Sequence, residues 1–241
     1  MSGTSPHIQV IYEDNHVLVV DKPVNIPSQE DDSGDLDMLR LLKQDLKIRY
    51  DKPGNVYLGL VQRLDRPVGG VMVFAKTSKA ASRLSDQVRT RVLHKEYVAV
   101  VHGLLPQQTQ LKVTHSLLKD TSVNTVKVVP AGTEGAKVAV LDYMVLGVSD
   151  GFSLVKITLH TGRPHQIRVQ MAALGCPLYG DQKYGASVNK PGQQIALWST
   201  LLSFPHPVTK EQLVHRSYPP QEHPWRLWKP DIYKFETFPN K

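Results

Sequence analysis

A single cysteine, Cys176, occurs in the 241 residues, which excludes an internal disulfide and any multi-cysteine zinc or iron–sulfur site. No apolar run approaches the roughly 18 residues that would span a bilayer. The opening Met1-Ser2-Gly3-Thr4-Ser5-Pro6-His7 lacks a basic patch leading into an apolar core, so a cytoplasmic protein without a secretory signal or membrane association is expected. Ten histidines never fall at metal-ligand spacing on one predicted helix, and there is no HExxH, no GxSxG elbow and no phosphate loop. Aromatic residues are scarce at 7%, which argues against a surface that stacks many bases. What is present, 41% hydrophobic and 21% charged residues, is a globular composition.

Acidic residues are few, and they are unevenly placed. The net charge is +7, yet residues 1–60 hold 6 basic and 10 acidic side chains, leaving 23 and 12 for residues 61–241. A basic body behind an acidic front suits a polyanionic partner, and equally suits simple solubility.

Along the chain, Ile8–Tyr12 and Val17–Val20 read as a hairpin around Glu13-Asp14-Asn15. The acidic stretch from Glu30 to Asp35 reads as a solvated loop, away from any site that binds phosphate. Asp35 is the predicted cap of a helix reaching Tyr50, with Leu39, Leu42 and Leu46 on its buried face. Val71–Ala75 is an apolar strand, and Ser78 the predicted cap of a helix bearing Ala80, Leu84 and Val88. Tyr97–Val101 is a strand, and residues 109–160 look all β, with Asp150-Gly151 as a two-residue hairpin turn. Pro164 suits the first turn of a further helix, Ile167, Met171 and Leu174 its core stripe, and Gly175 its terminator. The predicted class is α+β with a mainly antiparallel central sheet and flanking helices. With no linker in sight, residues 8–220 read as one domain and 221–241 as a C-terminal extension.

Three segments stand apart from scaffold. In Gln62-Arg63-Leu64-Asp65-Arg66-Pro67-Val68-Gly69-Gly70 a carboxylate lies between two arginines, whose charges favour its ionised form. A turn aspartate bonded to nearby backbone is the plainer reading. In Thr161-Gly162-Arg163-Pro164-His165-Gln166-Ile167-Arg168, Arg168 falls at the edge of the core stripe, where a buried guanidinium needs a carboxylate. Asp65 is one candidate partner, and an arginine reaching out to solvent is the alternative. In Lys95-Glu96-Tyr97-Val98-Ala99-Val100-Val101, Tyr97 is either core or catalytic. Cys176, with no basic neighbour, reads as buried and inert.

Together these segments resemble the RluA family of RNA pseudouridine synthases. The family's His-Arg-Leu-Asp-x-x-Thr-Ser-Gly matches Gln62 to Gly70, its Lys-x-Tyr-x-Ala strand matches Lys95 to Ala99, and its Thr-Gly-Arg-x-His-Gln-Ile-Arg run matches Thr161 to Arg168. The run Gly-x-Pro-x-x-Gly-Asp-x-x-Tyr-Gly matches Gly175 to Gly185, and Ala196-Leu197-Trp198, Phe204-Pro205-His206-Pro207 and Asp21-Lys22-Pro23 fit as well. Gln62, Val68-Gly69, Gln170 and Trp198 depart from the pattern. With seven residues before Ile8, the chain resembles the short members that lack an appended RNA-binding domain.

The resemblance implies a pseudouridine synthase fold with a basic catalytic cleft, and isomerisation of a uridine in rRNA or tRNA. It implies no cofactor, no metal and no obligate protein partner, so a monomer. Asp65 would attack the anomeric carbon or remove the 2′ proton of the flipped nucleotide, Arg168 would hold that carboxylate, and Tyr97 would stack on the uracil and help deprotonate its carbon. Arg63, Leu64, Leu197, Arg163, His165 and Gln166 would contact substrate. Two other classes compete: a non-catalytic RNA-binding or chaperone module that keeps the fold, and a glycosidase. The latter needs a second acid, and only Asp181 stands in the motifs to supply one.

Overall fold

The computed structural model describes residues 8–107 and 110–234, and residues 235–241 of the expected extension lie outside it. The described residues form two compact units, one of residues 8–95 with 199–217, the other running from 96 to 198 with 218–234. Among the described residues no helix is long and apolar enough to cross a membrane.

In the first unit, strands β1 (Gln9–Glu13) and β2 (Val17–Lys22) form the expected hairpin. Asp14 accepts from the backbone N–H groups of His16 and Val17 at 2.7 and 2.8 Å, which closes the turn. Helix α1 (Met38–Arg49) and short β3 (Gly59–Leu60) precede β4 (Gly69–Ala75), which pairs antiparallel with β2. Helix α2 (Ser78–Arg89) packs Ala80 and Leu84 on Val17, Val19, Val71 and Val73, the alternate residues of one sheet face.

Two caps differ from expectation by one or two residues. Asp37 caps α1 in place of Asp35, accepting from Arg40 N–H at 3.1 Å, and Thr77 caps α2 in place of Ser78. In each case the residue three before the bonded N–H is the one whose extended backbone aims its oxygen at it. Starting α1 later also shifts its buried face to Met38, Leu41, Leu42 and Leu46, with Leu39 only half-buried.

In the second unit, β5 (His94–His102), β6 (Gln110–Asp120), β7 (Thr125–Val129), β8 (Lys137–Ser149) and β9 (Phe152–Leu159) run in the order β5-β9-β8-β6-β7, every pairing antiparallel. Asp150 and Gly151 turn β8 into β9 with φ of 50° and 79°, the two positive angles of a type I′ turn. A bulge between Val145 and Gly147 opens space for the C-terminal segment, where a Cβ on Gly147 would lie 2.8 Å from Trp228 Nε1. Trp225, Trp228 and Tyr233 of that segment are buried, and Tyr233 donates to the Trp225 carbonyl at 2.9 Å.

Helix α3 (Gln166–Ala173) begins after Pro164, because His165 adopts a left-handed backbone (φ 50°). Its C-terminus follows expectation. Gly175 (φ 78°) donates to Ala172 and Cys176 to Met171, the paired bonds of a Schellman ending. The expected stripe is only partly present: Ile167 and Met171 are buried, whereas Leu174 at the C-cap is 39% exposed. Six of the helix's eight residues are buried, so polar Gln166, Arg168 and Gln170 are inside as well. A helix enclosed on nearly every side has no clean amphipathic period to read.

The last strands, β10 (Leu197–Pro205) and β11 (Gln212–Arg216), pair antiparallel, and β10 from Ser199 onward lies beside β4 in the first unit. There Gly70 (φ 113°) permits a close approach, since a Cβ on it would sit 2.2 Å from the Ser199 carbonyl oxygen. Gly70→Ala is therefore expected to destabilise the protein by roughly 3 kcal/mol or more. Gly175→Ala, where a Cβ meets open space, should cost only the about 1–2 kcal/mol of a left-handed alanine. Urea unfolding of the two variants checks the ranking.

Candidate active site

In the first unit the loop carrying Asp65 is tied down on both sides of that residue. Ser28 is bonded twice to Leu64, its Oγ–H donating to the carbonyl at 2.7 Å and its oxygen accepting from the N–H at 3.1 Å. Val68 N–H donates to the Asp65 carbonyl at 2.9 Å. Beneath the loop lies Lys22, with no exposed surface, whose Nζ donates to the carbonyls of Val68 (2.7 Å), Pro23 (2.9 Å) and Arg66 (3.1 Å). Three carbonyls match the three N–H bonds of an ammonium group. Burial nevertheless pulls its pKa down to about 7, against the attraction of the Asp65 carboxylate and with the repulsion of Arg66.

Arg63 is exposed at the loop surface, Leu64 is buried, and Asp65 is half-buried. Gln62, where the family pattern has histidine, is buried, and neither of its amide atoms has a hydrogen-bond partner. It does not hold the loop through hydrogen bonds.

The acidic stretch is exposed throughout, as expected of a solvated loop. It also reaches the Asp65 loop: the Arg66 guanidinium pairs with Asp35, and bonds Ser33 Oγ at 3.0 Å.

In the second unit, Arg168 is buried and forked onto Asp181, with Nε to Oδ2 and the terminal nitrogen to Oδ1 both at 2.8 Å. Asp181 Oδ1 also accepts from the N–H groups of Lys183 (3.0 Å) and Tyr184 (3.2 Å), so the carboxylate is satisfied while fully enclosed. The Tyr184 ring lies 5.3 Å from the Arg168 guanidinium carbon, and its hydroxyl bonds Val126 N–H and His165 Nδ1. Asn189 stitches the same segment: its Oδ1 accepts from Gly180 N–H at 2.7 Å, and its Nδ2 donates to the carbonyls of Leu178, Gly185 and Asp181. The Gly180–Gly185 motif is thus an anchor for one arginine.

The other site candidates of this unit are buried or half-buried. Gln166 is buried, its Oε1 accepting from Thr161 Oγ1 and Arg163 N–H and its Nε2 donating to Val140. Arg163 Nε donates to the Val138 carbonyl at 3.0 Å. Tyr97 is buried on β5, opposite Ile157, and Leu197 follows Ala196, whose carbonyl accepts from Val100 N–H at 3.0 Å. Cys176 is partly buried, and desolvation raises its thiol pKa, as its lack of basic neighbours led one to expect.

Sequence reasoning overlooked Lys22, Ser28 and Asn189, and weighed Asp181 only as an acid. Lys22 did leave a signal, a lysine at the end of an apolar strand, but nothing in the sequence tells which carbonyls converge on it.

Residues 16–173 match the RNA pseudouridylate synthase family. The chain belongs to that family. It is an RluA-type synthase, an isomerase that acts on RNA. An RNA pseudouridine synthase of Bacillus subtilis is 36% identical over 219 residues, covering 89% of this chain and 74% of its own. The ribosomal large subunit pseudouridine synthase C of Buchnera aphidicola is 32% identical, over 85% of this chain and 65% of its own length. Among solved structures, human RNA pseudouridylate synthase domain containing 4 superposes with a TM-score of 0.74 at 24% identity, covering 88% and 89% of the two chains, a likeness of fold.

Asp181→Asn should remove the carboxylate charge that forks onto the buried Arg168 guanidinium. A loss of about 3–5 kcal/mol is expected in urea unfolding. The Lys22 ammonium has a folded pKa below its unfolded value of 10.5, so the unfolded chain binds the extra proton between about pH 7 and 10.5. Stability contributed through Lys22 must therefore rise with pH across that window, by a few kcal/mol on the order of 1.4 per pKa unit. Unfolding from pH 7 to 10 should show a rise that Lys22→Met largely removes. An unchanged slope in the variant would assign the effect to other groups.

Proposed function

We propose that this protein converts a specific uridine of large-subunit ribosomal RNA to pseudouridine, as a cytoplasmic monomer, with Asp65, Tyr97 and Arg168 carrying the chemistry. The observation that carries this reading is the loop Gln62–Gly70, a family motif in which the backbone on both sides of Asp65 is anchored, by Ser28 before it and Lys22 after it. A carboxylate that must act on one sugar atom gains from such pre-set backbone. Relatives named for the ribosomal large subunit support the choice of RNA.

The reaction breaks the bond from uracil nitrogen to the sugar and rejoins the base through carbon, so it consumes no second substrate. Asp65 supplies the carboxylate, either by adding to the anomeric carbon or by removing the 2′ proton. Tyr97 contributes an aromatic face for the flipped uracil and a hydroxyl for moving the proton from the new attachment carbon. Arg168 supplies the fixed cation, and its fork onto Asp181 restricts where that charge can point. Arg63 is exposed on the same loop as Asp65, and with Arg163 and His165 it would contact the RNA strand, while Leu64 and Leu197 would line the base pocket. The excess of 23 basic over 12 acidic residues after position 60 favours phosphate contacts.

The test is pseudouridine mapping of total RNA from cells with and without the gene, followed by single-turnover assays. Asp65→Asn removes the reactive carboxylate with little change in shape, so product should be undetectable while RNA affinity is largely kept. Gln62→His should stay within a few-fold of the wild-type rate, since the amide it replaces is not part of the proton chemistry. Product from Asp65→Asn at a near wild-type rate would sink the mechanism. Loss of a site confined to transfer RNA would move the substrate to that class.

A further inference from the structure

The stretch from Ser28 to Asp37 is held at several points. Ser28 is bonded to Leu64, Glu30 pairs with Arg40, and Asp37 caps α1. Between these anchors the loop is exposed and offers Asp31, Ser33 and Asp35 to a single guanidinium, that of Arg66. Arg66 directly follows Asp65 in the chain. Its main-chain carbonyl is fixed by Lys22, while its side chain is 41% exposed and held only by groups that are themselves exposed.

Two carboxylates and a hydroxyl around one guanidinium present the oxygen-rich surroundings that a phosphodiester would also present. Exposed ion pairs of this kind are worth only about 0–1 kcal/mol each, so a phosphate group can exchange for them at little cost. The acidic stretch is also where the otherwise basic chain concentrates negative charge.

We propose that Arg66 is a phosphate-contact residue and that the Glu30–Asp35 loop masks it in the free protein, so that RNA must displace the loop's carboxylates to engage it. This rests on the reading of the protein as an RNA-modifying enzyme. The consequence is discrimination. An RNA that docks correctly brings a phosphate to Arg66 and repels the loop only locally, whereas one that binds at random meets the loop's charge without that compensation.

The test measures binding of a fluorescein-labelled 20-nucleotide polyuridine to the full chain by anisotropy between 50 and 200 mM NaCl. Asp35→Ala removes the carboxylate paired most closely with Arg66 and leaves Ser33 and the Asp31 carboxylate at 3.9 Å. Asp32→Ala removes the same charge from the same exposed loop but makes no contact with Arg66. Asp35→Ala is expected to tighten binding about 3–10-fold at 50 mM salt and to steepen the salt dependence by about 0.7, one added phosphate contact on a single strand. Asp32→Ala should change affinity by less than about two-fold, the remainder of a screened charge. In the Arg66→Ala background, Asp35→Ala should do no more than Asp32→Ala. Equal gains from the two single variants would mean general repulsion only and overturn the proposal, as would a gain that persists without Arg66 or no gain at all. A wild type that forms no pseudouridine but shows this pattern would defeat the enzymatic reading alone, and a working synthase without the pattern would defeat the masking alone.

Discussion

Lys22 shares its buried ammonium among the carbonyls of Pro23, Arg66 and Val68, and the geometry of the Asp65 loop follows from that arrangement. A loop of this length has no secondary structure of its own to hold it. Its carbonyls would otherwise need water, and water would leave them free to move. One cation placed below them collects the strands of the loop at a single point, at the cost of stripping its own hydration. Ser28 does the same work on the other side of Asp65 with a neutral hydroxyl. Asp65 thus sits between a charged and an uncharged anchor, which hold the backbone on either side of it.

The second unit solves a related problem by the opposite route. There the cation proposed to take part in the chemistry, Arg168, comes from a helix, and the fixing group is a carboxylate in a loop, Asp181. Burying both charges would be unfavourable if either were left unsatisfied. Asp181 avoids that by accepting two backbone N–H bonds besides the guanidinium, and those bonds exist because Gly180, Gly185 and Asn189 give its segment a tight, closed path. Gly180 has a φ of 76°, and a Cβ there would meet the Gln194 carbonyl oxygen at 2.2 Å. Gly180 is accounted for by this backbone approach, Gly185 by the side chains of Asn189 and Pro177, 2.8 Å from where a Cβ would lie, and the motif's aspartate and tyrosine by contact with one guanidinium.

Charge is arranged on two scales. Over the whole chain, the excess of lysine and arginine suits a polyanion. Within the first unit, negative charge is gathered at Glu30–Asp35 and set against Arg66, next to the residue proposed to perform the chemistry. A family motif specifies the aspartate but leaves its neighbour open, so this pairing is a property of this chain's own residues and not of the shared pattern.

Periodicity and turn chemistry were enough to read most of the elements. The β1–β2 hairpin, the Val71–Ala75 strand, the Asp150-Gly151 turn and the Gly175 terminator depend on contacts within a few residues, and such contacts are written locally. The ordered run of motifs carried the family, because it constrains many positions at once. Helix starts slipped by a residue or two, since Asp35 and Asp37, or Ser78 and Thr77, differ only in backbone angle and not in chemistry. The stripe on α3 failed at Leu174 because burial there is imposed from several sides by partners distant in sequence. The choice of Asp181 for Arg168, of Arg66 for the acidic loop, and of three carbonyls for Lys22 belonged to the tertiary structure. Apart from the Pro23 carbonyl next to Lys22, each joins groups 13 to 46 residues apart whose meeting depends on how strands and loops pack, and residue type alone says only that a buried charge must find some partner.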